Sequence, residues 1–165
     1  VLDVETLDLR RRQYAHVAEL LEELYGYPEW RSHLLPLDEL VSTILSQSTT
    51  DSNRDLAFNR LVNRFPDWEA VRDAPVEDVV EAIRPAGLAN QKAPRIQDAL
   101  RFVTAERGEL TLDFLADMEV EAAKAWLTQI NGVGPKTAAI ILLFTFGKPA
   151  FPVDTHVHRV TRRLG

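Results

Sequence analysis

Residues 130–139 read Ile130-Asn131-Gly132-Val133-Gly134-Pro135-Lys136-Thr137-Ala138-Ala139, and they organise what lies on either side of them. Two glycines one residue apart permit a tight turn with positive φ and leave backbone N–H groups uncovered, while Pro135 presets the first turn of a helix. Such a helix start, with donors facing outward, can hold a phosphate oxygen without side-chain charge. A bare Gly-x-Gly pair serves turn geometry alone just as well. The apolar residue before the turn and the Lys-Thr-Ala-Ala opening of the next helix are harder to explain that way.

Downstream, Lys136 to Phe146 is apolar almost all round, which predicts the central, most enclosed helix. Gly147-Lys148-Pro149 breaks it, an extended stretch runs to Val153, and helical patterning resumes over Thr155–Arg163. Upstream, Val120–Leu127 and Leu112–Leu115 predict two short helices. A longer helix starts at Asn90, with Ile96, Leu100 and Val103 on one face and Pro94 expected in its first turn. Before it come a helix begun by Pro75 and ended by Pro85 and Gly87, and a short one around Trp68–Arg72. Next is one capped by Thr50 or Asp51 that stops before Pro66, then a mostly buried one carrying Leu37, Leu40, Val41, Ile44 and Leu45. Asp8–Tyr25, with Val17, Leu20, Leu21 and Leu24 at helical spacing, is the first, and Gly26 with Pro28 stops it. No segment alternates as a strand, so the fold class is all-α, with about ten helices.

The chain has 165 residues, 45% of them hydrophobic, enough for one substantial core or two small lobes. Low-complexity runs, repeats and stretches of membrane-span length are absent, which excludes disordered, solenoid and membrane-spanning classes. No secretory signal is visible between Val1 and Arg12, and zero cysteines agree with a reducing, intracellular setting. The net charge of −6 is uneven: residues 131–165 carry five basic residues against Asp154, a balance of +4, while residues 1–130 carry −10. One phosphate-facing end accounts for this asymmetry, as do two unrelated charge zones.

Lys136 occupies the first turn of its helix, where the positive helix end disfavours a cation. That location suits a nucleophilic amine for attack on a sugar C1′ and Schiff-base formation, and equally a surface lysine pairing with phosphate. Asp154, 18 residues later, is a natural N-cap for the helix beginning near Thr155. An ionised carboxylate there can also stabilise positive charge developing on a sugar, or take a proton from the attacking amine. His156 and His158 are two apart and point to different sides of a helix, a poor chelating pair, so no metal is assigned.

Gly132-Val133-Gly134-Pro135-Lys136-Thr137-Ala138, followed by Val153-Asp154-Thr155-His156, resembles the endonuclease III family of helix-hairpin-helix (HhH-GPD) DNA glycosylases. Ile44-Leu45-Ser46-Gln47-Ser48-Thr49-Thr50-Asp51 and Gly87-Leu88-Ala89-Asn90-Gln91-Lys92-Ala93 extend the resemblance over roughly residues 37–165. The resemblance implies a six-helix barrel-like domain plus a partial second helical lobe. Residues 1–30 would give a helix of that lobe, 31–150 the glycosylase domain with the helix-hairpin-helix at about 121–146, and 151–165 the start of the C-terminal lobe. It implies a base-excision repair enzyme, a monomer at the bacterial nucleoid in the cytoplasm with no membrane association. Its partner would be double-stranded DNA containing a damaged base, from which it removes oxidised pyrimidines by base flipping, with lyase cleavage at the abasic site.

By similarity, Lys136 is the Schiff-base nucleophile, Asp154 the catalytic carboxylate and Leu88 the wedge that enters the base stack. Gly132, Val133, Gly134 and His156 would contact DNA, and Gln47, Ser48 and Asp51 would lie near the gap or the damaged-base pocket. The family's gap-filling glutamine aligns with Ser48, Gln47 coming one position earlier, and Thr128 replaces an acidic residue often found before the hairpin. Family members usually continue into four cysteines that hold an iron-sulfur cluster. This sequence stops at Gly165 without a cysteine, so no cofactor is expected in the chain as it stands and a cluster only in a longer parent chain. Truncation is the favoured explanation, because residues 136–165 end abruptly in a basic helix and the first helix would otherwise lack its packing partner. Two alternatives remain: a monofunctional mismatch glycosylase, which usually carries another residue at the Lys136 position, and a noncatalytic module using the hairpin as a phosphate clamp.

Overall fold

The computed structural model describes residues 3–27 and 34–164, and among them the structure is helical, with no strand. Contacts divide the chain into residues 1–32 and 33–165; the expected boundary between residues 30 and 31, like Pro28, lies outside the described residues. In the first unit, α1 (Val4–Tyr25) starts earlier than the spacing of its leucines predicts. Asp3 is the reason: its carboxylate accepts from the Thr6 N–H at 2.8 Å and the Thr6 hydroxyl at 2.9 Å, an N-cap that the apolar pattern does not register.

The second unit contains α2 (Pro36–Ser46), α3 (Asp51–Arg64), α4 (Trp68–Asp73), α5 (Val76–Ile83), α6 (Ala89–Arg107), α7 (Val120–Leu127), α8 (Pro135–Phe146) and α9 (Thr155–Leu164). Short 3-10 turns occupy Arg84–Ala86 and Asp113–Asp117. Thr50, rather than Asp51, caps α3, its hydroxyl accepting from the Asn53 N–H. Pro94 falls in the second turn of α6, not the first, because the helix begins at Ala89 directly after Leu88; the Asn90 carbonyl therefore lacks its helical donor.

Apolar residues four and three apart explain the packing. Leu40, Val41, Ile44 and Leu45 of α2 are sealed from solvent, as are Ile96, Leu100 and Val103 of α6 and Ala138, Ile141 and Leu142 of α8. α2 packs against α3, α6 and α8, and α7 packs against α8, so α2 lies at the centre with α8. The apolar surround of α8 predicts the most enclosed helix, but that place belongs to α2, buried from Leu40 through Leu45, whereas α8 is exposed at Pro135 and Lys136 and half-buried over residues 143–146. No helix among the described residues is long and apolar enough to cross a membrane.

Several helix C-termini are closed by side chains from distant elements. Gln97 of α6 donates from Nε2 to the Val71 and Ala74 carbonyls at 2.9 and 2.8 Å, closing α4. Lys148 donates from Nζ to the Ala116 and Met118 carbonyls at 2.8 and 2.6 Å. Terminal carbonyls have no helical partner and need such donors when water is excluded.

Candidate active site and nucleic-acid interface

The turn between α7 and α8 is held by its own backbone and by two buried anchors. The Val133 N–H donates to the Ile130 carbonyl at 3.0 Å, and the Ile130 N–H to Leu127 at 3.1 Å. Ile130 and Val133 are buried at 1% and 4% exposure, and burying side chains of that size stabilises by about 1.5–3 kcal/mol each, which ties the turn to the core. The two glycines differ in function. Gly132 has φ +88°, a region that penalises any Cβ, whereas Gly134 has φ −90°, open to any residue. A Cβ on Gly134 would meet nothing within 4 Å. Neither backbone nor packing inside the molecule requires glycine at 134, so what its bareness provides is access from outside.

Gly134 forms the N-cap of α8 without a side-chain cap, and the helix's first backbone bond runs from the Ala138 N–H to the Gly134 carbonyl at 2.9 Å. The opening N–H groups of α8 are therefore uncovered. Lys136 lies exposed in that first turn, and its side chain makes no hydrogen bond or ion pair among the described residues. Asp154 immediately precedes α9; its Oδ1 accepts from the Val157 N–H at 2.7 Å and the His156 N–H at 2.9 Å. Those backbone donors, Val157 above all, hold its carboxyl below the usual aspartate range, with His156 and Lys136 adding positive charge nearby. The structure thus brings Lys136 into the electrostatic surroundings of an ionised Asp154.

His156 is exposed and its Nδ1 lies 3.2 Å from Arg159 Nη2. Lys148, which sequence counting assigns to the basic C-terminal zone, spends its ammonium on carbonyls instead. The cationic surface there rests on Lys136, Arg159, Arg162 and Arg163, all exposed.

A second group of expected residues lies on the loops at the ends of α2 and α5. Leu88 is 51% exposed with φ +50°, and Ser48, also exposed, has φ +53°. They are the two non-glycine residues with positive φ among the described residues. An apolar side chain held toward solvent in a conformation costing about 1–2 kcal/mol is what an inserting wedge needs and a core leucine does not. Asp51 is exposed and pairs with Arg54 at 2.9 Å. Gln47 faces inward: its Nε2 donates to the Gly132 carbonyl at 3.0 Å, and Arg95 Nη1 reaches its Oε1 at 3.5 Å. Gln47 thus links this loop to the glycine turn.

Sequence reading missed Lys92 and Arg95, both on α6. For Lys92 a signal existed: it falls on the helical repeat that continues through Ile96, Ala99 and Val103, so a lysine stands in a buried stripe. Among the described residues no group of His, Asp and Glu is arranged to hold a metal. The 165 residues include no cysteine, so they supply no thiolate ligand.

Comparison with known proteins agrees with this geometry. A family model described as the HhH-GPD superfamily base excision DNA repair protein matches residues 41–165. A candidate DNA glycosylase of Arabidopsis thaliana is 43% identical over 129 residues, covering 78% of this chain and 44% of the relative. Endonuclease III of Thermotoga maritima is 35% identical over 150 residues, covering 90% of this chain and 66% of the relative. The chain thus spans less than two thirds of the length of these relatives. A solved endonuclease III–DNA covalent intermediate superimposes with a TM-score of 0.72 at 27% identity, over 92% of this chain and 68% of that one. With its central hairpin, its two flanking helices and its all-α core inside the matched span, this chain belongs to the HhH-GPD superfamily of base excision DNA repair proteins.

Proposed function

We propose that this chain is the catalytic region of a DNA glycosylase with abasic-site lyase activity, acting on oxidised pyrimidines in duplex DNA. The observation that carries the reading is Lys136: exposed and, among the described residues, unpaired, one residue into the helix that the glycine turn opens, with an ionised carboxylate nearby.

In this reading the uncovered N–H groups of α8 take a phosphate oxygen, and Leu88 enters the stack as the damaged nucleotide rotates out. The lone pair of the neutral Lys136 Nζ then forms a bond to C1′ while the bond from C1′ to the base breaks. The base leaves with that electron pair and takes up a proton. The nitrogen gives up a proton, the C1′–O4′ bond breaks with its electron pair going to O4′, which takes up a proton, and the nitrogen lone pair forms the C1′ iminium; loss of a C2′ proton then expels the 3′ phosphate and nicks the strand. Hydrolysis returns the free lysine.

Asp154, ionised and held by the backbone N–H groups that open α9, can stabilise positive charge on the sugar as the base departs and can take a proton from the attacking amine. The similarity to a trapped endonuclease III–DNA covalent intermediate supports the lysine chemistry, and the pairing of a wedge loop with a phosphate-binding turn supports base flipping.

Borohydride trapping on a duplex containing an oxidised pyrimidine tests the proposal, with the Lys136→Ala variant alongside. A covalent adduct that vanishes in the variant is the expected result. Base release without any adduct would replace the reading with a monofunctional glycosylase, and duplex binding with neither would leave a noncatalytic clamp.

A further inference from the structure

Lys92 is 1% exposed and belongs to the largest fully buried side chains of the protein. Its ammonium donates to two backbone carbonyls, Leu45 and Ala86, each at 2.8 Å. One closes the last turn of α2 and the other ends the 3-10 turn Arg84–Ala86. Both residues are sealed from solvent, so their carbonyls depend on this donor. Burial pushes the lysine below its ordinary value, which marks it as an unusual choice for a purely apolar stripe.

Each of the two carbonyls stands just before a strained residue. Ser48 comes three residues after Leu45 and Leu88 two after Ala86, and these are the two non-glycine positions with positive φ. The Ser48 hydroxyl makes no hydrogen bond among the described residues, and the Leu88 side chain has no polar atom to make one. Strained conformations persist only where their surroundings over-determine them. Among the described residues, Lys92 is the one side chain bonded to the anchor of both loops. Arg95, three residues on and on the same face of α6, extends the tie through Gln47 to the Gly132 carbonyl.

We propose that Lys92 is a positioning residue: its single ammonium locks the Ser46–Thr50 and Arg84–Leu88 loops to one another, so that Ser48 and Leu88 meet the DNA stack as a fixed pair. The inference rests on the base-flipping reading, but its first test is independent of activity. In free Lys92→Met, amide hydrogen exchange rises together in segments 46–50 and 84–88, by roughly tenfold, while α8 and α9 keep their protection. Unchanged exchange in either loop overturns the tie, and so does loss of protection spread over the whole unit.

The second test is a double-mutant cycle with Leu88→Ala, read as single-turnover excision and as affinity for undamaged duplex. Lys92→Met alone is expected to slow excision roughly tenfold with duplex affinity within about twofold, and to add less than about threefold on the Leu88→Ala background. Equal losses on both backgrounds would show that Lys92 does not act through the wedge. If Lys92→Met does not fold, Lys92→Arg, which keeps the charge but displaces its donors, is put through both tests; normal excision together with normal exchange then overturns the proposal. Wild-type protein that excises no base sinks the glycosylase reading, while the exchange experiment still decides the tie.

Discussion

Two lysines stand near the starts of two helices, and they have opposite surroundings. Lys136 of α8 is exposed, follows a glycine turn and has no side-chain partner among the described residues; Lys92 of α6 is sealed and bonded to carbonyls from two other elements. Neither helix has a side-chain N-cap, yet α8 is entered through extended Gly134 and α6 through left-handed Leu88. The glycine turn bares the backbone so that something outside can approach. The other entry uses strain to hold an apolar side chain out. Under the proposed function, the difference would separate a site for chemistry and phosphate from a rigid probe of the base stack.

The largest effect expected on this contrast is at Lys136. Lys136→Ala should abolish borohydride trapping while duplex affinity, measured by fluorescence anisotropy, falls only a few-fold. Retained trapping would move the nucleophile elsewhere. Asp154→Asn comes next, because asparagine caps a helix as well as aspartate and the exchange removes charge alone. Base release should slow about a hundredfold with α9 still formed by circular dichroism. The pH dependence has a definite sign. The ionised carboxylate is the form that the backbone donors favour, so its capping contribution is complete above the ordinary aspartate value and is lost as pH falls through the lower value in the fold. An acid titration of α9 in wild type but not in Asp154→Asn would show it.

Leu88→Gly should lower excision while the melting temperature does not fall, since glycine relieves a left-handed backbone costing about 1–2 kcal/mol. A falling melting temperature would mean that Leu88 is there to pack, not to probe. The smallest effects separate the two glycines. Gly132→Ala should destabilise by about 1–2 kcal/mol because of its positive φ. Gly134→Ser, which keeps a residue suited to the N-cap but covers the opening N–H groups, should stay within about 0.5 kcal/mol of wild type and weaken duplex binding instead. Denaturant melts and anisotropy on both variants would sharpen or collapse the distinction.

Much of this was legible in sequence because it is local. The spacing of Leu40, Val41, Ile44 and Leu45 gives α2, the apolar surround of residues 136–146 gives α8, and Gly-x-Gly-Pro-Lys gives a turn that opens a helix. Asp154 as a cap was equally legible, because its partners are two and three residues away. The place of Pro94 was not legible, since it depends on α6 beginning at a strained leucine, and propensity does not anticipate a leucine in left-handed conformation.

The sequence alone determined the helices, the open turn and the address of the proposed nucleophile, since each depends on a few neighbouring residues and on the helical repeat. Only the tertiary structure decided which polar groups serve the fold instead of DNA. Gln47 turned toward Gly132, Lys148 toward Ala116 and Met118, and Lys92 toward Leu45 and Ala86. The physical reason is that a carbonyl left without a helical partner takes whichever donor packing brings within reach, and for most of these bonds that donor lies tens of residues away along the chain.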